Sequence, residues 1–185
     1  MAMKSKAAVI WKWAMQQAPL PPRKAHPRPK NWQSGETAWL WGRPLTLNVR
    51  ERATWAIRPE GDRLLVECPR WMSAAQRQAR AEAWLSRELA AAVRRLQPEV
   101  EAAAGQHCED WRIRKMSTRW GSCSIQTRRI RLSLQLAEMP EECLRYVMTH
   151  ELGHFVTRFH NAIFRAWMTR VLPTWRQTEK LLNSW

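Results

Sequence analysis

Tyrosine occurs once in these 185 residues and phenylalanine three times, while tryptophan occurs 13 times. Acids are also scarce: 16 Asp and Glu stand against 31 Lys and Arg, a formal net charge of +15. The four cysteines, at 68, 108, 123 and 143, form no Cys-x-x-Cys pair, which excludes a zinc knuckle or a redox site of that spacing. No apolar run approaches the roughly 20 residues of a membrane span. Ala7–Trp11 is too short for a secretory leader, and Lys12 interrupts the residues after it. The expectation is a cytoplasmic chain with reduced thiols and no membrane partner.

The surplus of positive charge suits an anionic partner: nucleic acid, nucleotide or a membrane surface. Arginines spread along the whole chain would also serve solubility alone, and no nucleic-acid recognition motif accompanies them. Residues 1–35 read as a flexible basic tail: seven Lys and Arg precede Glu36 without an acid, and Pro19, Pro21, Pro22, Pro27 and Pro29 crowd the stretch. Prolines at that density block helix and sheet ladder alike, although Trp11, Trp13 and Trp32 offer points at which the tail can be pinned to the body.

Residues 36–185 read as one α+β domain, with strands and a long helix over 36–104 and a catalytic part over 105–185. Trp39–Pro44 reads as a strand meeting a turn, and Leu45–Arg50 alternates as a half-buried strand does. Thr54–Ile57 and Arg63–Cys68 fit a hairpin around Pro59-Glu60-Gly61-Asp62. A helix is expected over 71–104, capped at Ser73 and stopped by Gly105. Pro98 should end it near Leu96 and leave a short second piece. Trp111–Met116 and Ile130–Leu136 alternate as strands on either side of Ser117–Arg129. Pro140-Glu141-Glu142 opens a helix expected to reach about Thr157. Further helices are expected over 162–171 and from Pro173 onward.

His150-Glu151-Leu152-Gly153-His154 falls on the first of these C-terminal helices. Residues four apart share one helix face, so both imidazoles reach a single tetrahedral metal, and Glu151 stands beside it, placed to take a proton from an activated water. A catalytic zinc takes three protein ligands and leaves one position open. His160, six residues on, is the natural third. That is the metzincin spacing, but Thr157 stands where those enzymes have glycine. Arg119, Ser122, Tyr146 and Arg158 are candidates to stabilise an oxyanion. Glu138, Glu141, Glu142 and Glu179 are candidates to orient the imidazoles. Cys123 and Cys143 read as buried, inert thiols.

Arg119-Trp120-Gly121-Ser122-Cys123-Ser124, the His150–His154 motif with His160, and Leu172-Pro173-x-Trp175 together resemble the YgjP-like metallopeptidase family. The resemblance is close over 111–183 and weaker from Ala38; it does not extend to the basic segment before residue 35. It implies a small zincin-like α+β domain related to the SprT-like proteases: N-terminal strands and a long helix, then a short sheet packed on the zinc-binding helix, then C-terminal helices. It implies one zinc at His150, His154 and His160, with Glu151 as base, and a Trp-Gly-Ser-Cys strand beside the cleft. Arg119, Trp120, Gly121 and Ser122 are then candidates to line the substrate site; Trp120 and Cys123 as core residues, with Gly121 serving close packing, is the competing reading. The sequence departs from the family after His160, where Asn161-Ala162 replace a Ser-Pro or Thr-Pro step.

Three functions fit these residues. A zinc metallopeptidase acting on a peptide or protein is the first. A zinc-dependent hydrolase of nucleotide phosphoanhydrides is the second, suited by the arginines. A nucleic-acid-associated SprT-like protease, tethered by the tail, is the third. An intact Glu151 argues against a non-catalytic binding module.

Overall fold

Ser73 starts the longest helix of the structure, a computed structural model that describes residues 28–185. Ser73 Oγ accepts from the Gln76 amide, and Gln76 Oε1 accepts from the Ser73 amide in return, a reciprocal cap that satisfies two amides at the helix start. The helix, α1 (Ala74–Ala104), buries Trp84, Leu85, Leu89, Val93 and Leu96 along one face, the face the apolar spacing predicts. Gly105 ends it in the left-handed conformation at φ 60°. The expected break at Pro98 does not occur: α1 runs through it without interruption. Pro98 lies on the exposed side, and the cost of a proline inside the helix is outweighed by the buried stripe opposite.

Before α1 stands a four-stranded sheet of β1 (Thr37–Leu40), β2 (Arg43–Glu51), β3 (Ala56–Glu60) and β4 (Arg63–Cys68), in the order β1-β2-β4-β3. β2 alternates as expected, with Leu45 and Leu47 both buried. β4, held between β2 and β3, buries Leu64, Leu65 and Val66 in succession, as an interior strand covered on both faces can. After α1 comes a three-stranded sheet of β5 (Asp110–Arg114), β6 (Gly121–Ser124) and β7 (Arg129–Ser133), in the order β5-β7-β6. β6 is therefore an edge strand, antiparallel to β7. The strand expected over 130–136 stops at Ser133, and Leu134–Ala137 tighten into a 3-10 turn. The alternation there is satisfied differently, because that turn packs against α1 and buries Leu136 and Ala137.

Three helices complete the chain: α2 (Glu141–Gly153), α3 (Ala162–Val171) and α4 (Trp175–Ser184). α2 is buried nearly all round, with Leu144, Met148 and Leu152 fully enclosed; such side chains contribute about 1.5–3 kcal/mol each. Ion pairs Arg95–Glu141 and Arg145–Glu99 tie α2 to α1. At its start, Trp41 and Gly42 donate to the carbonyls of Ala137 and Glu138. Gly42, at φ 77°, approaches so closely that a Cβ would lie 2.7 Å from Pro140 Cγ. The β1–β2 turn thus seats the N-terminus of the motif helix.

Residues 1–27, most of the segment expected to be a tail, lie outside the described residues, and Trp11 and Trp13 with them. Of the remainder, Trp32 is buried in the core, Arg28 pairs with Glu138, and Glu36 accepts from the amides of Lys30, Asn31 and Gln33. No described helix is long and apolar enough to cross a membrane.

Candidate metal centre and active site

The motif helix ends sooner than expected. α2 closes at Gly153, and hydrogen bonds from His154 to the Glu151 carbonyl, Phe155 to Leu152 and Val156 to Gly153 tighten the last turn through Thr157. His150 and His154 remain one turn apart, with ring centroids 5.1 Å from each other. The chain then reverses, and Asn161 caps α3 by accepting from the Phe164 amide at 3.0 Å. Asn161 departs from the family pattern yet performs a turn-closing role that Asn suits. The reversal brings His160 back over the motif, its ring centroid 4.8 Å from that of His150 and 4.9 Å from that of His154.

The three rings offer one nitrogen each within 4.8 Å of one another, and the Nε2 atoms of His150 and His160 face each other at 2.9 Å. On the far side of the His154 ring, Nδ1 lies 3.3 Å from the Thr157 carbonyl. A carbonyl only accepts, so Nδ1 carries the proton and Nε2 keeps its lone pair. His150 Nδ1 lies 3.5 Å from Tyr146 Oη, which in turn donates to Glu179 Oε1 at 3.1 Å. Burial holds His150 well below the usual imidazole range, and His154 at about 4, with the neighbouring rings pushing the same way; burial also lowers His160. Each of these shifts favours the neutral imidazole, the state that ligates a divalent cation. This donor set, three neutral imidazoles converging from one helix and its following loop, fits zinc and other first-row metals that accept imidazole nitrogen.

Glu151 is buried on the next face of α2. Burial raises its carboxyl to about 8, against the opposing pull of Arg119. A cation held by the histidines would lower it again. The carboxylate packs against the edge strand at Gly121, where a Cβ would lie 2.5 Å from Glu151 Oε1 and 2.8 Å from its Cγ. Gly153 has a parallel role on the opposite side: a Cβ there would lie 2.7 Å from Phe164 Cε2 and 2.8 Å from Trp167 Cζ3.

The four residues expected to line a cleft are split by the fold. Gly121 and Ser122 are half-buried on β6, Arg119 is exposed and within electrostatic reach of Glu151, and Trp120 is a core residue. Of the oxyanion candidates, Tyr146 is buried on α2 and Arg158 stands exposed between the second and third histidines. Of the four acids expected to orient imidazoles, only Glu179 reaches the site. Glu138 pairs with Arg28 and Glu141 with Arg95, while Glu142 is exposed. Cys123 lies on β6 and Cys143 inside α2; burial pushes both thiols up to about 12, so neither is a thiolate. The Thr157 carbonyl was not legible in the sequence, because any residue supplies one. Asn161 was legible as a capping residue before a helix.

Among known proteins, the YgjP-like, metallopeptidase domain family matches residues 3–185. The match includes residues 3–35, to which the motif resemblance does not extend. A solved structure, the metallopeptidase zymogen of Pyrococcus abyssi abylysin, is similar over 49% of this chain and 87% of that one, at 24% identity and a TM-score of 0.43. No curated protein matches the chain. With the family matched over nearly the full length and a three-histidine cluster suited to a metal, the chain belongs to the YgjP-like metallopeptidase domain family.

Proposed function

We propose that the protein is a zinc-dependent peptidase in which His150, His154 and His160 hold one ion and Glu151 is the general base. The carrying observation is the contact of buried Glu151 with Gly121 on a strand that lies at the sheet edge among the described residues, one residue along the helix from the first histidine. When bound, zinc supplies Lewis acidity, which acidifies a water and polarises a carbonyl. Glu151 takes the proton released and passes it to the leaving amine.

Strand β6 favours a peptide over other acyl substrates. Ser133 donates to the Trp120 carbonyl at 2.8 Å, so in the alternating antiparallel ladder Ser122 also faces β7. The backbone groups of Gly121 and Cys123 then face the open edge, next to Glu151, where an extended chain can add as a further strand. Phe159 and Ile163, 51% and 63% exposed on either side of His160 in sequence, offer apolar surface to its side chains. Arg119, two residues before β6 and with a charge that reaches Glu151, is the residue we assign to the polarised carbonyl oxygen.

The same arginine supports a second reading, hydrolysis of a nucleoside triphosphate. A panel of unstructured peptides beside nucleoside triphosphates, run with wild type and Glu151→Gln, decides between them. Peptide cleavage lost in Glu151→Gln supports the proposal. Triphosphate cleavage alone, lost in the same variant, replaces it with the second reading. A nucleic-acid tether in the basic N-terminal segment predicts salt-dependent DNA binding that deletion of residues 1–27 weakens.

A further inference from the structure

We propose that Tyr146 and Glu179 are positioning residues that fix the tautomer of His150, the hydroxyl donating to Glu179 so that its oxygen accepts from His150 Nδ1–H. The inference rests on the three-histidine metal reading and deepens it. His150 turns Nε2 toward His160, so Nε2 is the ligating atom and must carry a lone pair. The proton then belongs on Nδ1, whose partner is Tyr146 Oη at 3.5 Å.

A phenol can accept from Nδ1–H or donate to a bare Nδ1. Donation would place the imidazole proton on Nε2, where it blocks the metal. Glu179 decides between the two. Tyr146 Oη donates to Glu179 Oε1 at 3.1 Å, so the tyrosine proton goes to Glu179, its oxygen is left to accept, and the imidazole proton belongs on Nδ1. Tyr146 is only 4% exposed, which denies its hydroxyl an alternative partner in bulk water. Glu179 is held by α4, whose Trp175 and Leu182 are buried in the core.

The two motif histidines are thus oriented by different means. His154 relies on a backbone carbonyl, which substitution leaves in place. His150 relies on a side-chain relay from the C-terminal helix, which substitution breaks. The chain's only tyrosine thereby acquires a role, and α4 contributes to metal affinity without contributing a ligand.

The test uses the full chain as wild type, Tyr146→Phe and Glu179→Gln. Nitrogen-15 NMR of the metal-free proteins reads the His150 tautomer, and competition with a chromophoric chelator reads zinc affinity. Wild type should show Nδ1–H at His150. Tyr146→Phe should shift His150 toward Nε2–H and weaken zinc binding about 10- to 100-fold, the range for partners of ligating histidines. Glu179→Gln should give a smaller loss of the same kind, since its amide can donate to Oη and release the tyrosine proton toward His150. That variant carries the test if Tyr146→Phe fails to fold. An Nε2–H tautomer in wild type overturns the inference. So does an affinity loss in the variants without a tautomer change, which would mark Tyr146 as packing alone, and so does no change in either quantity. Failure of wild type to bind zinc overturns the peptidase reading instead, while the metal-free tautomer still decides the relay.

Discussion

Gly121 presses against Glu151 so closely that a single added carbon would stand 2.5 Å from the Glu151 carboxylate oxygen. The glycine of the Trp-Gly-Ser-Cys segment is therefore a spacer between an edge strand and the proposed base. It is not needed for a special backbone angle, since it is absent from the positive-φ glycines.

Gly121→Ala should accordingly separate two properties of the site. The Cβ must push Glu151 aside or bend β6. A displacement on the order of 1 Å at the base costs about 100-fold in turnover, and overpacking costs roughly 1–3 kcal/mol of stability. Zinc affinity should stay near wild type, because the histidines are untouched. Parallel measurement of hydrolysis rate, zinc affinity and thermal midpoint checks this, and unchanged turnover would show that Gly121 does not space the base.

Gly153→Ala should show the opposite pattern. Its Cβ would meet the Phe164 and Trp167 rings of α3, and α3 begins two residues after His160. Moving that helix moves the third histidine. We expect weaker zinc binding together with a stability loss of roughly 1–3 kcal/mol, both read from one set of thermal melts with and without added zinc.

Glu101 sets a pH dependence away from the metal. It gathers the Trp111 indole, the Cys108 amide and Gln97 on one oxygen and His107 on the other, joining the end of α1 to β5. Burial alone would push its carboxyl up, but the hydrogen bonds from His107, Trp111 and Cys108 outweigh it and hold it below the usual range. A carboxyl lowered in the fold adds stability that is full above its unfolded value of about 4.3 and is lost as pH falls through the folded value. Glu101→Gln should be less stable than wild type by about 1–3 kcal/mol at pH 7, with the gap narrowing below about pH 4.3. Denaturant melts of both proteins at pH 7 and pH 3.5 measure it, and a gap that holds constant would contradict the assignment.

Much of this fold can be read from local pattern. The alternation of Leu45 and Leu47, the stripe from Trp84 to Leu96 and the capping at Ser73 each depend on residues close in sequence, and each gives the element it predicts. The histidine spacing likewise carries its geometry, since α2 holds His150 and Glu151 on its last turn and brings His154 to its end. What is not legible depends on distant parts of the chain. Leu134–Leu136 continue a strand pattern, yet packing against α1 turns them into a 3-10 turn. Pro98 carries a break signal that a buried stripe overrides. Glu179 stands among four acids that sequence cannot rank, and only the docking of α4 on α2 brings it to Tyr146.

Pro98 offers a simple check on that competition. It lies in the exposed interior of α1, where proline costs up to about 3 kcal/mol relative to alanine. Pro98→Ala should raise the thermal midpoint and leave zinc binding unchanged. A lower midpoint would show that the proline, not the buried stripe, shapes the helix.

The most direct measurement is a zinc titration of metal-free protein, with stoichiometry read by elemental analysis after gel filtration, on wild type, Glu151→Gln and His160→Ala. The three-histidine site predicts about one zinc per chain in wild type under ordinary ligand rules, the same in Glu151→Gln, and loss of tight binding in His160→Ala. Full occupancy at unchanged affinity in His160→Ala would contradict it.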